Sequence, residues 1–559
     1  MQKSKIAGNG KNVESKIAAL ASYEWHFFGA LIVAYVSLVA FVVYQRAYIS
    51  YAETDFITFT IPDALRVLQG EPTQSLYHPP LYALAIAGGK SLFGDWLSAG
   101  LAVSFLTGLV SLLVCFALFR DLAGKVAGWG AVLALLGSTI FMEESFRAGN
   151  DMLFLCLFLL SCWLAVLALE NRSGAAWFSC GMIVGLALLT RSNALPLLLL
   201  AGAPALDSKL LTGEKLKAGV KVVGGLAVPL IAIAVFAYFT GSRVLPANNL
   251  LNLSVTYFVE GSDRASFDAA LAAAKSFEEH PALLLSDPLR VLRIYLWDFY
   301  EFLRIGLPRL VASPLLVLAI PAIFILFKER LHKPVVLFGI VVAAEILLTN
   351  FKSFDARYYL FLVPVLGAII ARTAQWIVLS NFPFRARAAF AATVAVLVVF
   401  ALGSAAIRSA VHTINNDIEI AAVIDKFSAV IGPSSAILAR KPHVPYYTNS
   451  DWVYLPDSQT LEQLKLNIAE PSGEVFEGLA SVIKMSSLKE TRFLYFGEYE
   501  RKYRPQFASL TQPDQAPEWL DVVVTSDRPE EGTLYRLNES SGSSETSDPH
   551  TAPDCGPAC

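Results

Sequence analysis

Apolar residues in this chain come in long runs, not in the alternation of a half-buried strand or the spaced stripe of a soluble helix. The runs cover roughly 26–44, 96–119, 126–142, 152–169, 177–189, 194–206, 222–239, 307–327, 335–348, 358–370 and 388–406, each closed by a polar connection. A helix needs about twenty apolar residues to cross a bilayer core, so the pattern predicts about eleven membrane spans. The two short runs on either side of Arg191 fit equally a helical hairpin that does not cross fully, and either choice leaves later spans in the same orientation.

The connections are of two kinds. One kind is short and basic: Arg120 and Lys125; Arg172; Lys209, Lys215, Lys217 and Lys221; Lys328, Arg330 and Lys333; Arg385 and Arg387. With Lys3, Lys5, Lys11 and Lys16 ahead of the first span, the excess of positive charge predicts a cytoplasmic N-terminus and puts the C-terminal region outside. The other kind lies at 45–95, 143–151, 241–305 and 350–357, and is assigned to the outer face. Loop 45–95 is aromatic and acidic and ends its polar part in the proline-stiffened run HPPLY. Loop 241–305 carries FDAALAAAKSFEEHPALLLSDPLRVLRIYLWDFYEFLR, which suits either an amphipathic helix lying in the interface or a membrane-proximal connector.

Past residue 408 the pattern changes to short β-type runs (SAILAR, TRFLYFGEY, WLDVVVTSD, GTLYRL) separated by turns and helix-like pieces such as LEQLKLNIAE. The expected architecture is therefore a mostly α, polytopic membrane helix bundle with a small α/β domain. It divides into a cytoplasmic segment 1–25, a membrane domain 26–407, an extracytoplasmic domain 408–540 and a disordered Ser/Thr/Asp/Pro-rich tail 541–559.

Composition agrees: 55% of residues are hydrophobic and 16% charged, against about 25% charged in soluble domains. The net charge of −3 carries no basic signature of nucleic-acid binding. Cys115, Cys156, Cys162 and Cys180 read as small core residues, while Cys555 and Cys559 are either a small disulfide loop or free thiols. No small-residue cleavage site follows the first apolar run, which predicts an uncleaved first span. GGKS at 88–91 is not a phosphate-binding loop, because Leu84 stands where the first glycine of that motif is required.

Candidate chemistry collects on the outer face. Asp55 follows the first span; Arg147, Asn150 and Asp151 head the fourth; His78 lies in HPPLY; Arg191 sits between two short runs; Lys352, Asp355 and Arg357 precede the tenth span. Taken singly, Lys352 and Arg66 read as snorkelling or solvated charges, whereas Asp55 and Asp151, each at the outer end of a span, read as functional. Several on one face suit transfer of a sugar from a lipid phosphate: one carboxylate accepts the acceptor's proton while cations stabilise the departing phosphate. A transporter of a lipid-linked precursor is the first alternative, although neither internal repeats nor mid-bilayer polar positions stand out. A non-catalytic envelope assembly protein is the second.

The first span followed by D-x6-P-DALRVLQGEP, then LYHPPLYAL and LFG, together with RAGNDMLFLCLFLL, LLTRSNALPLLL and DARYYLFLVPVL, resembles the membrane glycosyltransferases of the GT-C type. The similarity is to the bacterial branch related to dolichyl-phosphate-mannose protein mannosyltransferases and to the aminoarabinose transferase of lipid A. It covers roughly residues 20–410 by layout.

The resemblance implies inverting transfer from a polyprenyl-phosphate sugar to a lipid, glycan or protein acceptor, at the outer face of a bacterial inner membrane. It implies Asp55 as general base and Asp151 as the acidic residue that orients the acceptor or supports the base. His78, Arg357 and Arg191 would contact the donor phosphate, with Glu53, Arg147 and Tyr82 in support. No cofactor or obligate metal is expected, although two separated aspartates are a plausible seat for a divalent ion. Where the protein mannosyltransferases often carry Asp-Glu, this chain has Asp55-Phe56, with Glu53 the nearest acid, which weighs against a protein acceptor.

Overall fold

The structure is a computed structural model that describes residues 24–45, 52–73, 79–206, 210–241, 287–311, 313–316, 333–350, 356–379, 383–432, 435–455, 491–497, 500–501, 505–526 and 532–537. These fall in two compact units, Met1–Ile418 and Glu419–Cys559.

The regular elements described in the first unit are all helical. Its elements are α1 (Glu24–Gln45), a π-helical turn (Phe56–Thr60) running into α2 (Ile61–Gln69), α3 (Leu81–Phe93), α4 (Trp96–Ala123), α5 (Lys125–Leu136), α6 (Thr139–Ser145), α7 (Asp151–Asn171) and α8 (Gly174–Leu188). A 3-10 segment (Ser192–Gly202), α9 (Thr212–Thr240), α10 (Pro288–Glu301), α11 (Lys333–Asn350), a 3-10 turn (Ala356–Tyr359), α12 (Leu362–Leu379) and α13 (Phe384–Ser428), whose last ten residues belong to the second unit, follow. Side-chain caps start several of them: Asp95 accepts from the Ser98 amide ahead of α4, and Ser173 from the Ala176 amide ahead of α8.

Six of the described helices are long and apolar enough to cross a membrane, and a seventh span arises if α5 and α6 count as one. The chain is a multi-pass membrane protein. The run predicted as a single span at 126–142 is broken: α5 and α6 meet at 68°, where Gly137 ends one helix and the Ser138 hydroxyl accepts from the Phe141 amide to start the next. The runs beside Arg191 become α8, of 15 residues, and a 3-10 segment containing Pro196. At about 1.5 Å per residue, α8 is shorter than a bilayer core is thick.

Helices α8 and α9 approach through bare backbone. A Cβ on Gly181 would collide with the Val222 carbonyl, and one on Gly225 with the Phe178 carbonyl. Close contact through glycine suits a membrane interior, where packing rather than water exclusion drives helix association.

The second unit is a five-stranded mixed sheet of β1 (Ala436–Ala439), β2 (Asp451–Tyr454), β3 (Thr491–Gly497), β4 (Leu520–Thr525) and β5 (Gly532–Leu537). The spatial order is β2-β1-β3-β5-β4, with β1 parallel to both neighbours and β5 antiparallel to both of its own. Alternation sorts its core: Leu438, Leu494 and Phe496 pack with Phe507 and Leu510 on one face, and Ile437, Phe493 and Tyr495 pack with Phe427 and Ile431 on the other. Buried Glu500 sits at the end of β3, where one oxygen accepts from the Gly497 amide at 3.2 Å.

His78, Lys352, Asp355, the helix-like piece LEQLKLNIAE, most of loop 241–305, the second half of the run 307–327, the tail and Cys555 and Cys559 lie outside the described residues.

Candidate active site

The candidate residues come together because two loops are tied to each other. Ala52 bridges Ala148 as a lone parallel β-pair, and the Glu53 amide donates to the Ala148 carbonyl at 3.1 Å. From beneath, the Ser104 hydroxyl of α4 donates to the Arg147 carbonyl at 2.7 Å and lies 3.3 Å from that of Gly149. A Cβ on Gly149 would stand 3.0 Å from Glu53 Oε2, a tight contact with the end of that side chain. The Leu81 amide donates to the Leu189 carbonyl at 2.8 Å, fixing the start of α3, with Tyr82, beside the turn that carries Arg191.

On this frame carboxylates and guanidiniums alternate. Arg147 pairs with Glu144 at 2.8 Å. Arg357 pairs with Glu53 and lies 4.0 Å from Asp151 Oδ2, while Arg191 pairs with Asp151 and donates to Asn150 Oδ1 at 3.1 Å. Asp151 is buried in the first turn of α7, where the exposed amides of a helix N-terminus favour a negative charge. Both Arg191 and Arg357 lie over the Tyr358 ring, at 4.8 and 4.9 Å, and Arg357 Nη2 donates to its hydroxyl at 3.1 Å. One aromatic plate thus accommodates two like charges.

The neighbours hold these cations firmly. Glu144 raises the Arg147 pKa against the opposing effect of burial. Burial works against the charge on Arg357, yet Glu53, Tyr358, Asp151 and Glu144 outweigh it and hold the group well above its ordinary value.

Between these groups lies a cavity of about 30 Å³ lined by Glu53, Asp55, Phe56, Tyr82, Arg191 and Arg357 among others. A water needs about 10–15 Å³ by this measure, so the space between the side chains admits a water or two. Asp151 lines an adjoining cavity with Arg191, Arg357, Tyr358 and Phe154. The sequence-derived residues Glu53, Asp55, Tyr82, Asp151, Arg191 and Arg357 therefore line two cavities that share Arg191 and Arg357, whereas Arg147 lines neither and is taken up by Glu144. Sequence reasoning did not single out Glu144 or Tyr358. Each left a signal: Glu144 stands three residues before Arg147, and Tyr358 directly follows Arg357.

A divalent ion fits poorly here. Among the described residues no group of three or more His, Cys, Asp or Glu could hold a metal, and Glu53, Glu144 and Asp151 each face a guanidinium instead.

A sequence profile of the dolichyl-phosphate-mannose-protein mannosyltransferases matches residues 77–239. Among solved structures the chain is similar to ArnT from Cupriavidus metallidurans bound to undecaprenyl phosphate, with a TM-score of 0.51 at 12% identity over 92% of this chain and 98% of that one. The fold is that of the GT-C membrane glycosyltransferases. The apo oligosaccharyltransferase of Archaeoglobus fulgidus shares this GT-C fold, with a TM-score of 0.52 at 11% identity over 84% of this chain and 70% of that one. No curated protein matches the sequence. In this chain the GT-C fold brings the segments around residues 53, 82, 151, 191 and 357 to one cleft.

Proposed function

We propose that the chain is an inverting glycosyltransferase that moves a sugar from a polyprenyl-phosphate donor to a lipid or glycan acceptor at the outer face of a bacterial inner membrane. The observation that carries this reading is the site itself, in which Asp55 lines a cavity with Arg191 and Arg357, and Asp151 pairs with Arg191 and lies 4.0 Å from Arg357. The resemblance to ArnT, crystallised with undecaprenyl phosphate, supports a polyprenyl-phosphate donor.

In the proposed reaction the acceptor oxygen or nitrogen attacks C1 of the sugar and forms the new glycosidic bond. The bond from C1 to the phosphate oxygen breaks, its electron pair leaving on polyprenyl phosphate, and the acceptor's proton passes to the Asp55 carboxylate. Asp151 orients the acceptor. Arg357 and Arg191, with His78, offset the charge growing on the leaving phosphate. The prenyl tail stays among the apolar helices, so the reacting head group meets the protein at the membrane edge.

Membranes containing the protein, incubated with labelled polyprenyl-phosphate sugars and analysed by mass spectrometry, test the reading. Glycosylated product is expected from the wild type, and Asp55→Asn should lower its rate by about 10²–10⁴-fold with insertion and folding intact. Wild-type rates in purified Asp55→Asn would sink the assignment of the base.

A further inference from the structure

Two of the guanidiniums that could meet a donor phosphate are already paired. Arg357 is paired with Glu53, and the two flank the cavity of about 30 Å³. The pair is largely out of water, with side-chain exposures of 23% and 15%. Arg191 is likewise held by Asp151. A phosphate entering this space meets Glu53, Asp55 and Asp151 as like charges unless the guanidiniums turn from them to it.

We propose that Glu53 is a latch on Arg357 that the donor phosphate must displace: binding of the donor moves Arg357 from the Glu53 carboxylate to the phosphate, and Glu53 recaptures Arg357 to expel polyprenyl phosphate after transfer. This rests on the reading of Arg357 as a phosphate contact. Glu53 is then a positioning residue that acts through Arg357. The exchange is chemically even, since a guanidinium trades one oxyanion fork for another. The local structure suits a fixed latch: the Glu53 backbone is bonded to Ala148, and Gly149 leaves room for Glu53 Oε2. Tyr358 holds the other edge of the Arg357 guanidinium through its hydroxyl and ring, so the cation has a pivot that does not depend on Glu53.

Two consequences distinguish a latch from a residue that merely holds the cleft together. Donor and product should both bind more tightly when the latch is removed, because they no longer compete with it. Turnover should fall at the same time, because product leaves more slowly and Arg357 is no longer reset. A structural prop, by contrast, weakens binding when lost.

The test is equilibrium binding of undecaprenyl phosphate to detergent-solubilised full-length protein, with turnover measured in parallel. Glu53→Gln is expected to tighten binding by about tenfold, a change of about 1.4 kcal/mol, and to lower both the donor KM and kcat. Arg357→Gln should weaken binding by about tenfold or more, and the double variant should match Arg357→Gln alone, since the latch has nothing left to hold. If Glu53→Gln does not fold, Glu53→Asp, which keeps the charge but draws it back from Arg357, should give a smaller tightening. Unchanged or weaker binding in the folded Glu53 variant, with Arg357→Gln still impaired, overturns the latch alone. No binding by the wild type, or Arg357→Gln binding as well as wild type, overturns the phosphate role of Arg357 and the latch with it.

Discussion

The α8–α9 interface and the charged cleft lie in the same unit and are packed with opposite materials. At the interface two helices touch through glycine backbones at Gly181 and Gly225, and a charged side chain, Lys221, reaches across to Gly174 at the N-terminal end of α8. In the cleft Glu53, Glu144 and Asp151 are matched to Arg357, Arg147 and Arg191. Backbone contact has one good geometry and resists change, because a close-packed interface loses contacts at any other spacing. Ion pairs can trade partners with a charged ligand. The first arrangement suits a scaffold and the second a site that must release what it binds.

The strongest way to break this contrast is to remove one cation. Arg191→Met leaves buried Asp151 with Arg357, 4.0 Å away, as its nearest remaining described cation. Losing one member of a buried pair costs about 3–5 kcal/mol, and the expected low end of that range should appear as a clear drop in the unfolding temperature. An unchanged melting temperature would mean that the pair carries no stability.

Next comes the interface. Gly181→Ala puts a Cβ against the Val222 carbonyl, and overpacking of this kind costs about 1–3 kcal/mol. Thermal stability should fall while the rate per folded molecule is kept. Loss of rate without loss of stability would tie this interface to the cleft.

The smallest effect belongs to the sheet unit, which offers a buried carboxylate with no exchange to perform. Burial raises the Glu500 pKa above its ordinary value, and backbone donors and Arg440 only partly oppose it. A raised carboxylate pKa in the folded state favours the protonated form. Its contribution is therefore fully present below the unfolded-state pKa, about 4.3, and is lost as pH rises through the folded value. Glu500→Gln should flatten the pH dependence of this unit's stability over that window, as read by unfolding at several pH values.

The helical part of this fold was legible because membrane spans are written in composition. The break at Gly137–Ser138 was not, since the residues on both sides stay apolar and only the Ser138 cap marks the new start. Strand β2, Asp451–Tyr454, is four residues long with both its end residues exposed, too little for a period-2 signal to stand out. In the site, charges at the ends of spans could be read singly. Their partners could not: Glu53 and Arg357 are 304 positions apart, and only the folded chain matches them. Glu144 reads as an ordinary loop acid beside Glu143 until burial distinguishes it.

The bridge between Ala52 and Ala148 sets how the cleft can open. It joins the segments bearing Glu53, Asp55 and Asp151 into one jaw, whereas Arg191 and Arg357 arrive on separate stretches of chain. A cleft that widened between these stretches would part carboxylates from guanidiniums and carry the carboxylates together. The bridge ties the carboxylates to one another, and the arginines are not part of that tie.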